Sequence, residues 1–291
     1  MRLGSVRSLA VTLVIAIGVC RLAAAQPIPG TQSRFFSTSD GVRLHYLEAG
    51  PHAANTIVLV PGWTMPAWIW RPQIIALGNA YHVVAFDPRG QGESQVSAGG
   101  YTPERRGRDI TELLVHLGPT PALVIAWSLG VLDTLAGVHI NGDAHLAGLV
   151  LVDNSVGEEP PPKPEKARPG PRLTRAAFMH DFVQNMFHSP QSSAYLDRLT
   201  EATLRTPETA ASALLSYPVP RTYWREAVYA ARVPVLYVVR PGFAAQAANL
   251  RRNRPDTETA VFADAGHALF VDDAARFNTL VLDFIHRHVW P

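Results

Sequence analysis

From residue 56 onward, short runs of consecutive apolar residues alternate with stretches whose apolar positions recur every third or fourth residue. The runs are Thr56–Val60, Tyr81–Phe86, Ala122–Trp127, Leu146–Val152, Val233–Val239 and Thr259–Phe262. Runs this short and this evenly apolar read as strands covered on both faces, the pattern of a parallel sheet. The intervening stretches Trp68–Leu77, Pro103–Leu117, Leu129–His139 and Arg276–His288 predict helices; in the second, Ile110, Leu113, Leu114 and Leu117 fall on one face. Upstream, Arg34–Ser39 and Val42–Glu48 flank Asp40-Gly41, a hairpin signal. The alternation predicts an α/β fold with a mostly parallel central sheet flanked by helices.

One region breaks the rhythm. Residues 154–232 hold no strand-like run and open on Glu158-Glu159-Pro160-Pro161-Pro162-Lys163-Pro164, too rich in proline for a helix or a central strand. Helical patterns follow at Arg175–Phe187, Ser192–Leu204, Glu208–Leu215 and Tyr223–Ala230. The organisation predicted is a core formed by residues 34–153 and 233–291, with a helical cap inserted over 154–232.

The chain has 291 residues, 47% of them hydrophobic and 17% charged, enough apolar material for a sizeable core and against disorder. Residues 1–25 differ from the rest. Arg2 and Arg7 precede an apolar stretch, Leu9–Val19, and Ala23-Ala24-Ala25 closes it, which is the layout of a secretory signal peptide. The stretch is too short to span a hydrocarbon layer that needs about 20 residues, so a periplasmic or secreted protein without a stable membrane anchor is expected. Val19 before Cys20 is too large for a lipoprotein signal. Cleavage after Ala25 would remove Cys20, the single cysteine, and with it any disulfide or thiol chemistry. Three of the 26 Lys and Arg residues and none of the 24 acids fall in 1–25, which leaves a nearly neutral body and no electrostatic reason for a nucleic-acid partner. No metal-ligand spacing or glycine-rich phosphate loop stands out, so no metal and no cofactor is expected.

The most informative residues are Ala126-Trp127-Ser128-Leu129-Gly130, where a predicted strand turns directly into a predicted helix. Such a turn needs small residues two before and two after its tip. Ala126 and Gly130 supply them, and Ser128 is left projecting in front of a helix N-terminus. Two further motifs follow strands: Leu59-Val60-Pro61-Gly62-Trp63, and Asp87-Pro88-Arg89-Gly90-Gln91-Gly92-Glu93-Ser94.

Together and in this order, these motifs resemble the α/β-hydrolase superfamily, over about Phe35 to Trp290 and within it the branch of small carboxylesterases and cofactor-free haloperoxidases. Ala126 stands where that family usually has Gly, and Pro61 where its glycine turn usually begins with His. The resemblance implies that Ser128 is a nucleophile and that the backbone N–H groups of Trp63 and Leu129 form an oxyanion hole. It implies a loop-bracing role for Asp87 and Arg89. It also makes His267, in Ala263-Asp264-Ala265-Gly266-His267, the general base. His180 and His188 lie in the insertion and are read as having no chemical part, with a place in the pocket lining as the alternative.

The acid departs from the family pattern. Its usual place follows the strand Val233–Val239, where this chain reads Arg240-Pro241-Gly242-Phe243, and no acid occurs between Glu226 and Asp256. Some members carry the acid one strand earlier. Asp153 follows Leu146–Val152 directly and preserves the order Ser, Asp, His; Glu158 and a Ser-His dyad are the alternatives. Asp272 and Asp273 read as helix-start residues. Trp63 and Trp127 flank the expected site, with Trp68 and Trp70 near in sequence. An apolar or aromatic substrate pocket including Trp127 is one reading, and a core role for some of the four is the other.

A serine with a backbone oxyanion hole suits attack on an ester, thioester, lactone or activated amide of a small-molecule acyl substrate, through an acyl-enzyme. Serine at the turn is unlike the superfamily's dehalogenases and epoxide hydrolases, which carry Asp there. The expectation is therefore a secreted serine hydrolase of the carboxylesterase kind. Competing readings are a haloperoxidase or perhydrolase, an aminopeptidase with Glu158-Glu159 as amine clamp, and a non-catalytic binding protein on the same fold.

Overall fold

The computed structural model describes residues 28–162 and 173–291; the expected signal peptide, residues 1–25, lies outside the described part. The strands β1 (Thr31–Ser37), β2 (Arg43–Ala49), β3 (Thr56–Val60), β4 (His82–Asp87), β5 (Ala122–Trp127), β6 (Leu146–Val152), β7 (Val235–Val239) and β8 (Thr257–Val261) form a single sheet. The spatial order is β1-β2-β4-β3-β5-β6-β7-β8. β2 is antiparallel to both its neighbours, and the pairings from β4 to β8 are parallel. The chain order reverses between β3 and β5, with β4 lying to one side of β3 and β5 to the other. Loops at the carboxyl ends of the strands flanking such a switch point form a crevice.

The helices are α1 (Arg71–Leu77), α2 (Pro103–Leu117), α3 (Leu129–Asn141), α4 (Arg175–Gln184), α5 (Ser193–Arg205), α6 (Glu208–Leu214), α7 (Thr222–Ala230), α8 (Ala244–Asn253), α9 (Leu269–Asp272) and α10 (Ala274–Phe284). Among the described residues none is long and apolar enough to cross a membrane. Side chains alternate across each strand, so the central strands feed two cores. Ile57, Leu59, Leu123 and Ile125 pack with Phe270, Phe277 and Val281 on one face. Val58, Val124 and Leu149 pack with Ile110, Leu135 and Leu250 on the other.

Three elements differ from the sequence pattern. β1 begins at Thr31, inside a Pro/Gly/Ser-rich stretch, because pairing with β2 satisfies its backbone although its side chains are mostly exposed. α8 follows β7 without an apolar stripe to announce it. Only Gln246, Ala247 and Leu250 are buried, and it rests on good helix formers such as Ala, Gln, Leu and Arg. α7 falls within the predicted insertion but joins the core: Trp224, Ala227 and Val228 pack in the layer with α3, and Trp224 Nε1 donates to the Leu132 carbonyl at 3.2 Å.

α2 and α3 meet backbone to backbone. A Cβ on Gly107 would stand 2.4 Å from the Gly137 nitrogen and 2.8 Å from the Ala136 carbonyl carbon. Main chain cannot move aside as a flexible side chain does, so overpacking outweighs the helix propensity that alanine adds. Gly107→Ala is expected to cost about 2 kcal/mol and to lower Tm by roughly 4–8 °C in calorimetry; an unchanged Tm would contradict this packing.

Candidate active site

β5 ends at Trp127 and α3 begins at Leu129, so Ser128 alone makes the turn, at φ 55° and ψ −121°. For a residue with a Cβ this conformation costs on the order of 1–3 kcal/mol. Thr64 and Asp153 are the other described non-glycine residues at positive φ, at 58° and 48°. All three sit in loops at the carboxyl ends of β3, β5 and β6. The turn is held by a hydrogen bond from the Ser128 N–H to the Val152 carbonyl at 2.9 Å and another from Asn154 Nδ2 to the Ser128 carbonyl at 2.8 Å. A Cβ on Gly130 would lie 2.7 Å from the carbonyl oxygens of Val60 and Pro61, which is why a small residue is needed there.

Ser128, His267 and Asp153 form one hydrogen-bonded chain. His267 Nε2 is 2.8 Å from Ser128 Oγ, and its Nδ1 is 2.6 Å from Asp153 Oδ2. The Asp153 side chain is fully buried, whereas His267 and Ser128 keep some access to solvent. Burial pushes the Asp153 carboxyl up, but the His267 hydrogen bond and the neighbouring charges of His267 and Arg240 outweigh it and hold the group below the ordinary carboxylate range. An ionised Asp153 accepts a hydrogen bond from Nδ1–H, which fixes that tautomer and leaves Nε2 as acceptor for the serine hydroxyl.

Arg240 also meets Asp153. Its N–H donates to Oδ1 at 3.0 Å and its Nε to Oδ2 at 2.6 Å, while Nη2 stands 3.4 Å from His267 Nδ1. The loop after β7, where the family usually carries its acid, thus supplies a cation that grips the acid from β6. Glu158, the alternative acid, is turned elsewhere: its carboxylate is hydrogen-bonded by Tyr229 Oη and Asn249 Nδ2.

Gly62 brings the β3 loop against the serine. A Cβ there would lie 2.9 Å from Ser128 Cβ and 3.2 Å from the Trp127 ring. The N–H groups of Trp63 and Leu129 donate to no group among the described residues. The β3 loop is braced by Gln91, whose Oε1 accepts the Thr64 N–H, and by Asp87, whose carboxylate accepts the Ala67 and Glu93 N–H groups and His45 Nδ1. Arg89 ties Asp109 and Asp40 together. Because Gly62→Ala would push the Trp63 peptide away from Ser128, it is expected to lower ester kcat by about 10²–10³-fold, the loss typical of a displaced oxyanion donor; kinetics with a soluble ester checks this.

Two expectations about side chains need correcting. Trp127 is 1% exposed: its Nε1 donates to the His267 carbonyl at 2.8 Å and its ring packs on Phe270, so it supports the histidine loop from the core and does not line a substrate pocket. Trp70 is likewise fully buried, stacked on Phe270. Trp63 and Trp68 instead meet the cap, through Phe182 and Tyr195 respectively. Asp272 ends α9 and does not start a helix. Its carboxylate accepts N–H groups from His188, Ser189 and Gly266, pinning the cap to the loop that carries His267. Asp273 does cap α10, accepting from the Arg276 N–H at 3.3 Å.

Residues 57–280 match the model of the alpha/beta hydrolase family, and the chain belongs to that family. It is 35% identical over 136 residues to a soluble epoxide hydrolase from Corynebacterium sp. (strain C12), an alignment covering 40% of this chain and 47% of that protein. A bifunctional esterase/perhydrolase from Acinetobacter calcoaceticus is 27% identical over 165 residues, 56% of this chain and 57% of the relative. The chain therefore spans about half the length of these relatives. Among solved structures, the esterase RhEst1 from Rhodococcus sp. ECU1013 superposes with a TM-score of 0.73 at 22% identity, over 89% of this chain and 99% of that one.

Proposed function

We propose that the protein is a serine hydrolase that cleaves carboxylic esters of small, apolar substrates through an acyl-enzyme. The observation that carries this is the continuous hydrogen-bonded chain from Ser128 Oγ through His267 to Asp153. His267 Nε2 takes the hydroxyl proton as Oγ attacks the ester carbonyl, and Asp153 stabilises the imidazolium that results. The oxyanion of the tetrahedral intermediate accepts from the Trp63 and Leu129 N–H groups. The imidazolium then protonates the departing alcohol, and the same histidine activates water to hydrolyse the acyl-serine.

The epoxide hydrolase relative does not transfer its chemistry to this turn. A serine that opened an epoxide would be left as an ether, with no carbonyl for water to attack, whereas a carboxylate nucleophile gives a hydrolysable ester. The esterase/perhydrolase relative favours the acyl-enzyme reading, in which hydrogen peroxide replacing water as acceptor would yield a peracid. An apolar acyl group suits the surroundings: Tyr101, Leu129, Ala210 and Leu214 cluster with Trp63, joining the loops beside Ser128 to α6 of the cap. In this reading the enzyme acts in the periplasm or outside the cell, after loss of residues 1–25.

Steady-state hydrolysis of p-nitrophenyl esters from acetate to decanoate tests the proposal. Turnover of at least part of the series is expected, with KM falling as the acyl chain lengthens until the cap limits it. Absence of turnover across the whole series would contradict it.

A further inference from the structure

At the opposite end of the sheet from Ser128, the last residues of β2 and the first residues of β3 and β4 lie side by side, with Thr56 paired to His82 and Glu48 to Val84. The length of β3, roughly 15 Å at about 3.3 Å per residue, separates this end from Gly62. Glu48 and His82 are buried, at 6% and 5% exposure, and His52, in the loop from β2 to β3, is exposed. His82 Nε2 lies 2.8 Å and His52 Nδ1 3.5 Å from the same oxygen, Glu48 Oε1. All three donor atoms fall within 4.8 Å of one another.

The far sides of the buried pair are already fixed. Thr56 Oγ1 is 3.1 Å from His82 Nδ1, and Arg34 Nε donates to Glu48 Oε2 at 3.2 Å. The cluster opens on a cleft of about 490 Å³ whose walls also include Tyr46, His116 and Thr120.

We infer that Glu48, His52 and His82 bind one divalent ion of the zinc type through Oε1, Nδ1 and Nε2, with water from the cleft as fourth ligand. Tetrahedral ligands at about 2.0–2.2 Å stand about 3.3 Å apart. The 3.5 Å between His52 and Glu48 already fits, and the 2.8 Å between His82 and Glu48 opens by about half an ångström when an ion replaces the shared proton. The two imidazole nitrogens, within 4.8 Å of each other, close to the same spacing. His82 Nδ1–H then donates to Thr56 Oγ1, the outer hydrogen bond that fixes a ligating imidazole. Two imidazoles with one carboxylate suit zinc, nickel or copper and not calcium or magnesium. The ion would clip the β2–β3 loop to β4, far from the serine, with an effect on stability and none on ester chemistry.

Titration calorimetry of the untagged, metal-stripped full chain with zinc chloride tests the inference. One zinc per chain is expected, with Tm rising by roughly 5–10 °C at about 100 times Kd. His52→Ala, at an exposed position, should weaken binding about 100-fold while leaving the metal-free Tm and ester turnover unchanged. Thr56→Val, which removes no ligand, should weaken it about tenfold. No saturable zinc binding, or equal affinity in His52→Ala and wild type, would overturn the site.

Discussion

Replacing Ser128 by alanine is expected to reduce ester kcat by about 10⁶-fold, the loss seen when the nucleophile of such a unit is removed, while the fold stays intact. Alanine adopts the strained φ of 55° no worse than serine does, and the backbone hydrogen bonds that hold the turn do not involve the hydroxyl. Circular dichroism and Tm should therefore match wild type, which separates chemistry from folding. A variant that keeps a tenth of wild-type turnover would mean that the hydrolysis arises elsewhere.

Asp153→Asn is expected to lower kcat by about 10⁴-fold. The amide no longer selects the Nδ1–H tautomer and no longer balances the imidazolium. Arg240, 3.4 Å from His267 Nδ1 and robbed of its carboxylate, then adds an uncompensated positive charge beside the ring. The same substitution has a signature in stability. Because the Asp153 carboxyl is held below its ordinary range, its contribution is complete above a pKa near 4, that of an unfolded aspartate, and is lost as the pH falls through the lower native value. The wild type should therefore lose stability on acidification more steeply than Asp153→Asn. Near-normal turnover in the variant would move the acid's role to another residue, and identical acid denaturation curves would contradict the ionised, buried carboxylate.

The central strands β3, β5, β6 and β7 were legible because they are buried along almost their whole length and carry almost no polar residues to blur their limits. α8 was not, since a helix lying on the surface with three buried residues has almost no periodicity to read. At the site, Ser128, His267 and Asp153 are positions at strand ends that local sequence marks, and the structure brings them together. The absence of an acid after β7 was legible too, but not what fills the place: a lone arginine in a loop carries no sign that its partner is 87 residues upstream. Trp127 was misread for a related reason. Flanking a nucleophile in sequence says nothing about which side of the strand a ring leaves by, and residue 127 faces the core shared with Phe270. Asp272 looked like a helix cap because its reach to the cap segment at His188 and Ser189 depends wholly on tertiary structure. The Glu48, His52 and His82 cluster was invisible for the same cause, since strand pairing alone joins residues 48 and 82.

The most direct measurement is covalent labelling of the folded chain with a fluorophosphonate, followed by peptide mapping in a mass spectrometer. One adduct per chain on Ser128, lost on heat unfolding and suppressed in His267→Ala, is the predicted result. Folded protein that hydrolyses esters while its Ser128 peptide stays unmodified would contradict the account.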